Sequence, residues 1–164
     1  MAIGEPRPGY ELWRPNREKA SSRQMQAIVI ALMLATAGIC LVVAAGGWAR
    51  LEGGGAIVIS YVGLYLLFAY LVSRWRRGVL PVASALSIVL LIFALIAAPA
   101  WFARDKAGFD SPILPEPLLG ILTLLIVPIS ILTIVAAMIG FNQEWHVEEE
   151  RPVGSGPRNH GATA

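Results

Sequence analysis

Long apolar segments alternate with short polar ones along this chain. Four of the apolar segments contain no Asp, Glu, Lys, Arg or His. Each is close to the length of about 20 apolar residues with which a helix crosses a hydrocarbon layer about 30 Å thick. The pattern predicts an all-α integral membrane protein with four transmembrane helices in an antiparallel up-down bundle, spanning residues 27–49, 56–73, 79–102 and 118–141.

The tryptophans agree with these spans. Indole rings prefer the boundary between lipid and water to the centre of the bilayer. Trp48, Trp75 and Trp101 lie at the ends of the first three spans, and Trp13 and Trp145 lie in the segments outside the first and the fourth. Each ring is therefore expected at a membrane boundary or beyond it.

Positive charges are distributed unequally between the two sides of the predicted bundle. Because Lys and Arg are retained on the cytoplasmic side, the bias predicts cytoplasmic N and C termini in what we expect to be a bacterial plasma membrane. The Arg76–Arg77 pair is expected to hold the end of the second span at anionic headgroups. One side carries Arg7, Arg14, Arg17, Lys19, Arg23, Arg74, Arg76, Arg77, Arg151 and Arg158, whereas the other carries Arg50, Arg104 and Lys106.

The segments outside the bundle are read as tails. Residues 1–26 contain several prolines among alternating charges, so we expect a cytoplasmic tail without a long helix. Residues 142–164 begin with an acidic stretch that includes Glu148–Glu150, expected to be solvated and open to a basic partner, and end in a Gly/Pro-rich segment expected to be disordered. For the first span, a cleaved signal peptide is the alternative to an anchor, but the apolar run exceeds a signal core and three spans follow.

Small residues recur at helical spacing on three of the spans. Such residues let two helix backbones approach closely, so we interpret them as packing seams within the bundle. A substrate path lined by the same residues is the alternative. The seam residues are Ala31, Ala35 and Gly38 on the first span, with Ala45 and Ala49 further along it, Ala83 and Ser87 on the third, and Gly120, Thr123 and Ser130 on the fourth.

The second span carries an aromatic face formed by Tyr61, Tyr65 and Phe68. The Tyr65 hydroxyl lies near mid-span and is expected to hydrogen bond to a neighbouring helix, with Ser84, Ser87 and Thr123 as the candidate partners. A lipid or quinone pocket against this face is the alternative.

The residues that are missing exclude several function classes. A proton or cation transporter usually needs an ionisable side chain at membrane depth, and none of the four spans carries one. Haem ligation inside the bundle needs histidines, but His146 and His160 both follow the fourth span. Cys40 is the single cysteine, so it cannot form an intrachain disulfide. We therefore predict no catalytic, cofactor or metal site, and the net charge of +2 does not indicate nucleic-acid binding.

The connection between the third and fourth spans, residues 103–117, is the longest predicted loop. Its prolines stiffen it, which lowers the entropy lost when it binds. We expect it to contact a partner through Phe109, Asp110 and Glu116. A spacer that only joins the two helices is the alternative.

Taken together, the patterns favour a non-catalytic accessory subunit or assembly factor of a larger membrane complex, respiratory or envelope-associated. Its expected partners are membrane lipid and either other membrane-protein subunits or further copies of the chain. A small oligomeric transporter or channel is the alternative, in which Pro128 kinks the fourth helix beside the Thr123 and Ser130 stripe.

Overall fold

Four long apolar helices form the body of the protein in a computed structural model that describes residues 6–51, 54–103 and 112–155. Their length and composition suit a membrane crossing, which confirms the predicted fold class. In chain order the elements are β1 (Tyr10–Trp13), α1 (Pro15–Glu18), α2 (Ala20–Gly47), a 3₁₀ turn (Trp48–Arg50), α3 (Gly54–Ser73), α4 (Val79–Ala103), α5 (Glu116–Asn142) and β2 (Glu149–Pro152).

Three of the helices agree with the predicted spans to within two residues at each end, but α2 begins well before the predicted start at Ala27. The added segment, from Ala20 to Gln26, is polar yet rich in good helix formers such as Ala, Arg, Gln and Met. With 28 residues, α2 is about 42 Å long, which exceeds a hydrocarbon layer of about 30 Å. Hydropathy located the apolar part of this helix and missed its polar extension.

The helices do not pack equally against one another. The closest pairs are α4 with α5 and α2 with α3, and α2 also lies along α5, whereas α3 and α4 touch over a short length. In each of α3, α4 and α5, about one third of the most apolar stretch of 18 residues is buried. The rest of each helix points outward and is apolar, as a lipid-facing surface requires.

Glycines allow three close approaches near the end of the bundle where α2 and α4 finish. A Cβ added at Gly46 would lie 2.4 Å from Cδ1 of Leu114, and one at Gly47 would lie 2.6 Å from the ring of Trp101. A Cβ at Gly120 would lie 2.8 Å from the Phe102 ring. Larger residues at these positions would push the helices apart.

The two terminal segments pair in an antiparallel two-stranded sheet, with Tyr10 opposite Pro152 and Trp13 opposite Glu149. The two paired segments therefore lie together at one end of the bundle, which we call the terminal end. Within the described part of the predicted N-terminal tail, the chain forms β1, α1 and the first turns of α2. An isolated two-stranded sheet is marginal in water, so contacts with the helices must support this one.

Candidate functional site

Two of the three small-residue stripes lie inside the bundle. Ala83 and Ser87 on α4 are buried, as are Gly120, Thr123 and Ser130 on α5. The hydroxyls of Ser87 and Thr123 donate to the carbonyls of Ala83 and Leu119, one turn earlier on their own helices. The Ser130 hydroxyl is buried without a partner in the described part of the chain.

The stripe on α2 faces outward. Ala31, Ala35 and Gly38 are exposed, and a Cβ added at Gly38 would meet no atom within 4 Å. As a seam between helices of this chain, the prediction is wrong. The inward face of α2 carries Val29 and Met33 together with a second set of small residues, Ala37, Cys40, Ala44, Gly46 and Gly47. Spacing alone cannot tell which face of an apolar helix turns inward, because both faces carry apolar residues.

The aromatic face of α3 is largely used for internal packing. The Tyr65 side chain is 1 % exposed, and its hydroxyl lies 2.8 Å from Oγ of Ser87. Tyr61 stacks on Tyr65 with ring centroids 6.1 Å apart, and Phe68 is buried. Of the three predicted partners for the Tyr65 hydroxyl, Ser87 is the one that it contacts.

An apolar cleft of about 310 Å³ separates α3 from α4, where these helices barely touch. Tyr61 is the one residue of the aromatic face that borders it. A smaller cavity of about 80 Å³ continues inward to Cys40 and Thr123. The cleft walls consist of Leu51, Gly54, Ile57, Val58, Tyr61, Leu90, Phe93, Ile96, Ala97, Ala100 and Trp101.

Hydrogen bonds and ion pairs of polar groups are concentrated at the terminal end, and the first of them lie where α3 ends. The amide of Trp75 donates to the Val72 carbonyl and the amide of Arg76 donates to the Leu71 carbonyl, the two bonds of a Schellman motif. The left-handed position of this motif usually holds glycine, but here Trp75 occupies it with a φ of 60°. A bulky residue in this conformation is strained by about 1–2 kcal/mol. The contacts of the Trp75 ring must therefore offset that strain.

The Trp75 ring contacts the segment that follows α5. It meets the ring of Trp145 edge-on, with centroids 5.1 Å apart and planes inclined by 83°. Trp145 is completely buried, and its Nε1 donates to Oε1 of Gln143. Nε of Arg17 donates to the Trp145 carbonyl at 2.9 Å, and its guanidinium lies 5.8 Å from the centre of the Trp75 ring. These contacts join α1, the end of α3 and the C-terminal segment.

Arg77 ties the α3–α4 connection to the same segment. Its Nε donates to the Phe141 carbonyl at 2.9 Å, its guanidinium lies 4.0 Å from the centre of the Phe141 ring, and Nη1 lies 2.6 Å from Nδ1 of His146. Because arginine has only donors, His146 accepts through Nδ1 in this contact.

The acidic stretch before β2 is paired within the chain. Arg14 forms an ion pair with Glu148, Arg7 lies 3.7 Å from Glu150, and Arg151 lies 2.6 Å from Glu11 across the sheet. Glu148 and Glu150 therefore have basic partners within the chain, while both side chains stay partly exposed. In the described residues, no group of three or more His, Cys, Asp or Glu side chains is arranged to hold a metal ion.

A cavity of about 580 Å³ opens beside the α3–α4 connection, and its walls carry Arg17, Arg76, Arg77, His146, Trp75 and Phe141. No carboxylate lines it within the described part of the chain. Burial lowers the pKa of the Arg17 guanidinium, and the charges of Arg14 and Arg76 lower it further, whereas Glu148 acts in the opposite direction. An arginine nevertheless keeps its charge in a protein. The cavity is therefore positively charged.

The predicted partner loop lies largely outside the described residues, including Phe109 and Asp110. Glu116 is described: it is the first residue of α5, where a carboxylate interacts favourably with the helix dipole. Just before it, the amide of Leu114 donates to the Gly46 carbonyl at 3.2 Å, which fixes the end of the loop on α2. The function of the loop stays a prediction.

Comparison with known proteins supplies no relative from which a function could be transferred. The features that bear on function are the outward face of α2, the α3–α4 cleft and the cavity lined by Arg17, Arg76 and Arg77, which we call the arginine cavity. No family model, no curated protein and no solved structure matches this chain.

Proposed function

We propose that the chain is a non-catalytic accessory subunit or assembly factor of a larger membrane complex, and that it binds a transmembrane helix of another subunit through the outward face of α2. The observation that carries the proposal is the exposed stripe of Ala31, Ala35 and Gly38, with Ala45 further along α2 and Ala49 in the 3₁₀ turn that follows it. A Cβ added at Gly38 would meet no atom within 4 Å, so no contact inside the described part of the chain accounts for a glycine there.

Small residues matter for association in lipid because the hydrophobic effect does not draw helices together there. Close backbone approach and van der Waals packing supply the attraction, and side chains of Gly and Ala permit it. The outward face of α2 carries larger exposed side chains, such as Leu34, Leu41 and Val42, beside its small residues. On the outward face of α4, Ile88, Ile92 and Ile96 form a stripe of large aliphatic side chains, which suits acyl chains. The contrast favours a protein partner at α2 and lipid at α4.

A non-catalytic role is supported by the way in which the charged groups are used. The predicted spans carry no ionisable residue apart from Cys40 and tyrosines. The arginines and glutamates of the terminal sheet form ion pairs with one another, as in Arg14 with Glu148 and Arg151 with Glu11. Such pairs hold the two terminal segments together, and they leave no familiar set of acid, base and nucleophile among the residues that the structure describes.

The proposed location is a bacterial-type plasma membrane with both termini in the cytoplasm. The excess of Lys and Arg at the terminal end supports this orientation. A contact of residues 103–117 with a partner on the opposite side of the membrane is part of the same proposal, with Phe109, Asp110 and Glu116 as its candidate residues.

The test compares two outward glycines. Gly38 lies on the small-residue stripe of α2, whereas Gly63 lies outward on α3, and an added Cβ meets nothing within 4 Å at either position. Membranes of the native source expressing Gly38→Leu, Gly63→Leu or the unaltered chain are extracted in a mild detergent, and the mass and composition of the complex are measured.

The proposal requires a discrete complex with another subunit that Gly38→Leu dissolves and Gly63→Leu preserves. Retention of the complex in both variants would overturn it. A complex made only of this chain that transports a solute in liposomes would also overturn it, in favour of the transporter or channel.

A further inference from the structure

We propose that the arginine cavity at the terminal end, formed by Arg17, Arg76, Arg77 and His146 beside Trp75 and Phe141, binds the phosphate of an anionic membrane lipid. This inference does not depend on the accessory-subunit proposal, because it concerns another surface of the protein.

The first support is charge that the chain does not neutralise. Around the sheet, Arg7, Arg14 and Arg151 each have a glutamate partner. The cavity arginines have neutral partners: the Trp145 carbonyl for Arg17, and the Phe141 carbonyl and His146 for Arg77. In the described residues, Arg76 has no hydrogen-bond or ion-pair partner for its side chain. An anion would supply the negative charge that these groups lack.

The second support is the way in which two of the guanidinium groups are held. Arg77 is fixed by its bond to the Phe141 carbonyl and by the Phe141 ring 4.0 Å away. Arg17 is fixed by the Trp145 carbonyl and the Trp75 ring. A guanidinium that is already positioned loses less entropy on binding, and its planar fork matches the oxygens of a phosphate. Arg76 is exposed, and its side chain is free to turn toward the bound ligand.

The third support is the position of the cavity relative to the apolar spans. It lies between Ser73, where α3 ends, and Val79, where α4 begins, so its level is the boundary between hydrocarbon and water. Lipid phosphates lie at that level. The rings of Trp75 and Phe141 give the cavity an apolar wall, which suits the adjoining glycerol and the first carbons of an acyl chain. A lipid therefore fits the site better than free phosphate.

The test is a titration of the purified protein in detergent with phosphatidylglycerol, followed by native mass spectrometry to obtain the dissociation constant of the first bound lipid. Phosphatidylcholine serves as the zwitterionic comparison and inorganic phosphate as the soluble competitor. Arg76→Gln removes one cavity charge, and Arg74→Gln removes a neighbouring exposed charge that does not line the cavity. Arg76→Lys keeps the positive charge but removes the planar guanidinium group.

We expect phosphatidylglycerol to bind more tightly than phosphatidylcholine, and Arg76→Gln to weaken its binding about fivefold, as loss of one interfacial cation does. Arg74→Gln is expected to leave the dissociation constant unchanged. The dissociation constant of Arg76→Lys is expected to lie between those of the unaltered protein and Arg76→Gln. Unchanged thermal unfolding of the variants confirms that they are folded.

Three results would overturn the proposal. Equal binding of the two lipids would remove the preference for an anion. Equal loss in the Arg74 and Arg76 variants would mean general attraction to the membrane surface instead of a site. Displacement of phosphatidylglycerol by inorganic phosphate at equal concentration would make soluble phosphate the ligand.

Discussion

The ring of Trp75 stands edge-on against the ring of Trp145, with 5.1 Å between their centroids. This contact connects the turn after α3 to the segment after α5, and it requires Trp75 to adopt a φ of 60°, where glycine is usual. The protein thus holds a strained backbone at the place where its terminal end is assembled. The strain and the ring contact act in opposite directions on stability.

Replacing Trp75 with glycine separates these two effects. Trp75→Gly relieves about 1–2 kcal/mol of backbone strain but removes an aromatic side chain whose truncation in a core costs about 3–5 kcal/mol. We expect a net loss of about 1–4 kcal/mol, measured by thermal unfolding in detergent. The same substitution in a Trp145→Phe background is expected to cost less, because the edge-on pair is already altered. A stabilised Trp75→Gly variant would contradict this account.

The hydrogen bond between Tyr65 and Ser87 gives a second prediction. Ser87→Ala leaves the buried Tyr65 hydroxyl without its partner 2.8 Å away. We expect a loss of about 0.5–2 kcal/mol, since interhelical hydrogen bonds in membranes contribute modestly. Ser84→Ala is the matched control on the same helix, because the Ser84 hydroxyl is buried without a partner in the described residues. An equal loss in both variants would mean that packing, and not the hydrogen bond, is being measured.

The glycines divide into those that make room for a neighbour and those that do not. Gly47→Ala places a Cβ 2.6 Å from the Trp101 ring, so we expect overpacking to cost about 1–3 kcal/mol. Gly63→Ala meets nothing within 4 Å and is expected to stabilise α3 by about 0.5–1 kcal/mol. Thermal unfolding of the two variants in one detergent checks both. A Gly47→Ala variant as stable as the unaltered protein would show that the Trp101 ring moves aside without a loss of stability.

The terminal sheet predicts slow amide exchange in the N-terminal segment. Arg151→Ala removes the ion pair with Glu11 and the guanidinium 5.3 Å from the Trp13 ring, together about 1 kcal/mol. We expect the amides of residues 10–13 to exchange about fivefold faster in this variant. Arg74→Ala, which removes an exposed cation outside the sheet, is expected to leave them unchanged. Fast exchange in the unaltered chain would mean that the N-terminal segment is a loose tail after all.

The sequence was sufficient to predict the four spans because the requirement for about 20 apolar residues to cross a bilayer is strict and local. It also predicted that Tyr65 would find a hydroxyl partner, since a buried phenol needs one. Ser87 was one of three candidates, and the structure distinguishes it from the other two.

The sequence was not sufficient to predict the orientation of α2 or the terminal sheet. A helix in lipid is apolar all round, so the spacing of Ala31, Ala35 and Gly38 does not reveal whether they face inward. The strands β1 and β2 have four residues each and lie far apart in the chain. Their pairing depends on ion pairs such as Arg151 with Glu11, which a local sequence pattern does not predict. The arginine cavity could not be predicted for the same reason, because Arg17 and Arg77 come to line one cavity only after the chain has folded.

The central claim is that the outward face of α2 binds another protein, and site-specific photo-crosslinking tests it most directly. A photoreactive amino acid is placed at Ala35 on the stripe and, as the control, at Ile96, which is 69 % exposed on α4. After irradiation of intact membranes, adducts are identified by mass spectrometry. The account predicts one discrete adduct with another membrane protein from Ala35 and lipid adducts from Ile96; lipid adducts alone from both positions would contradict it.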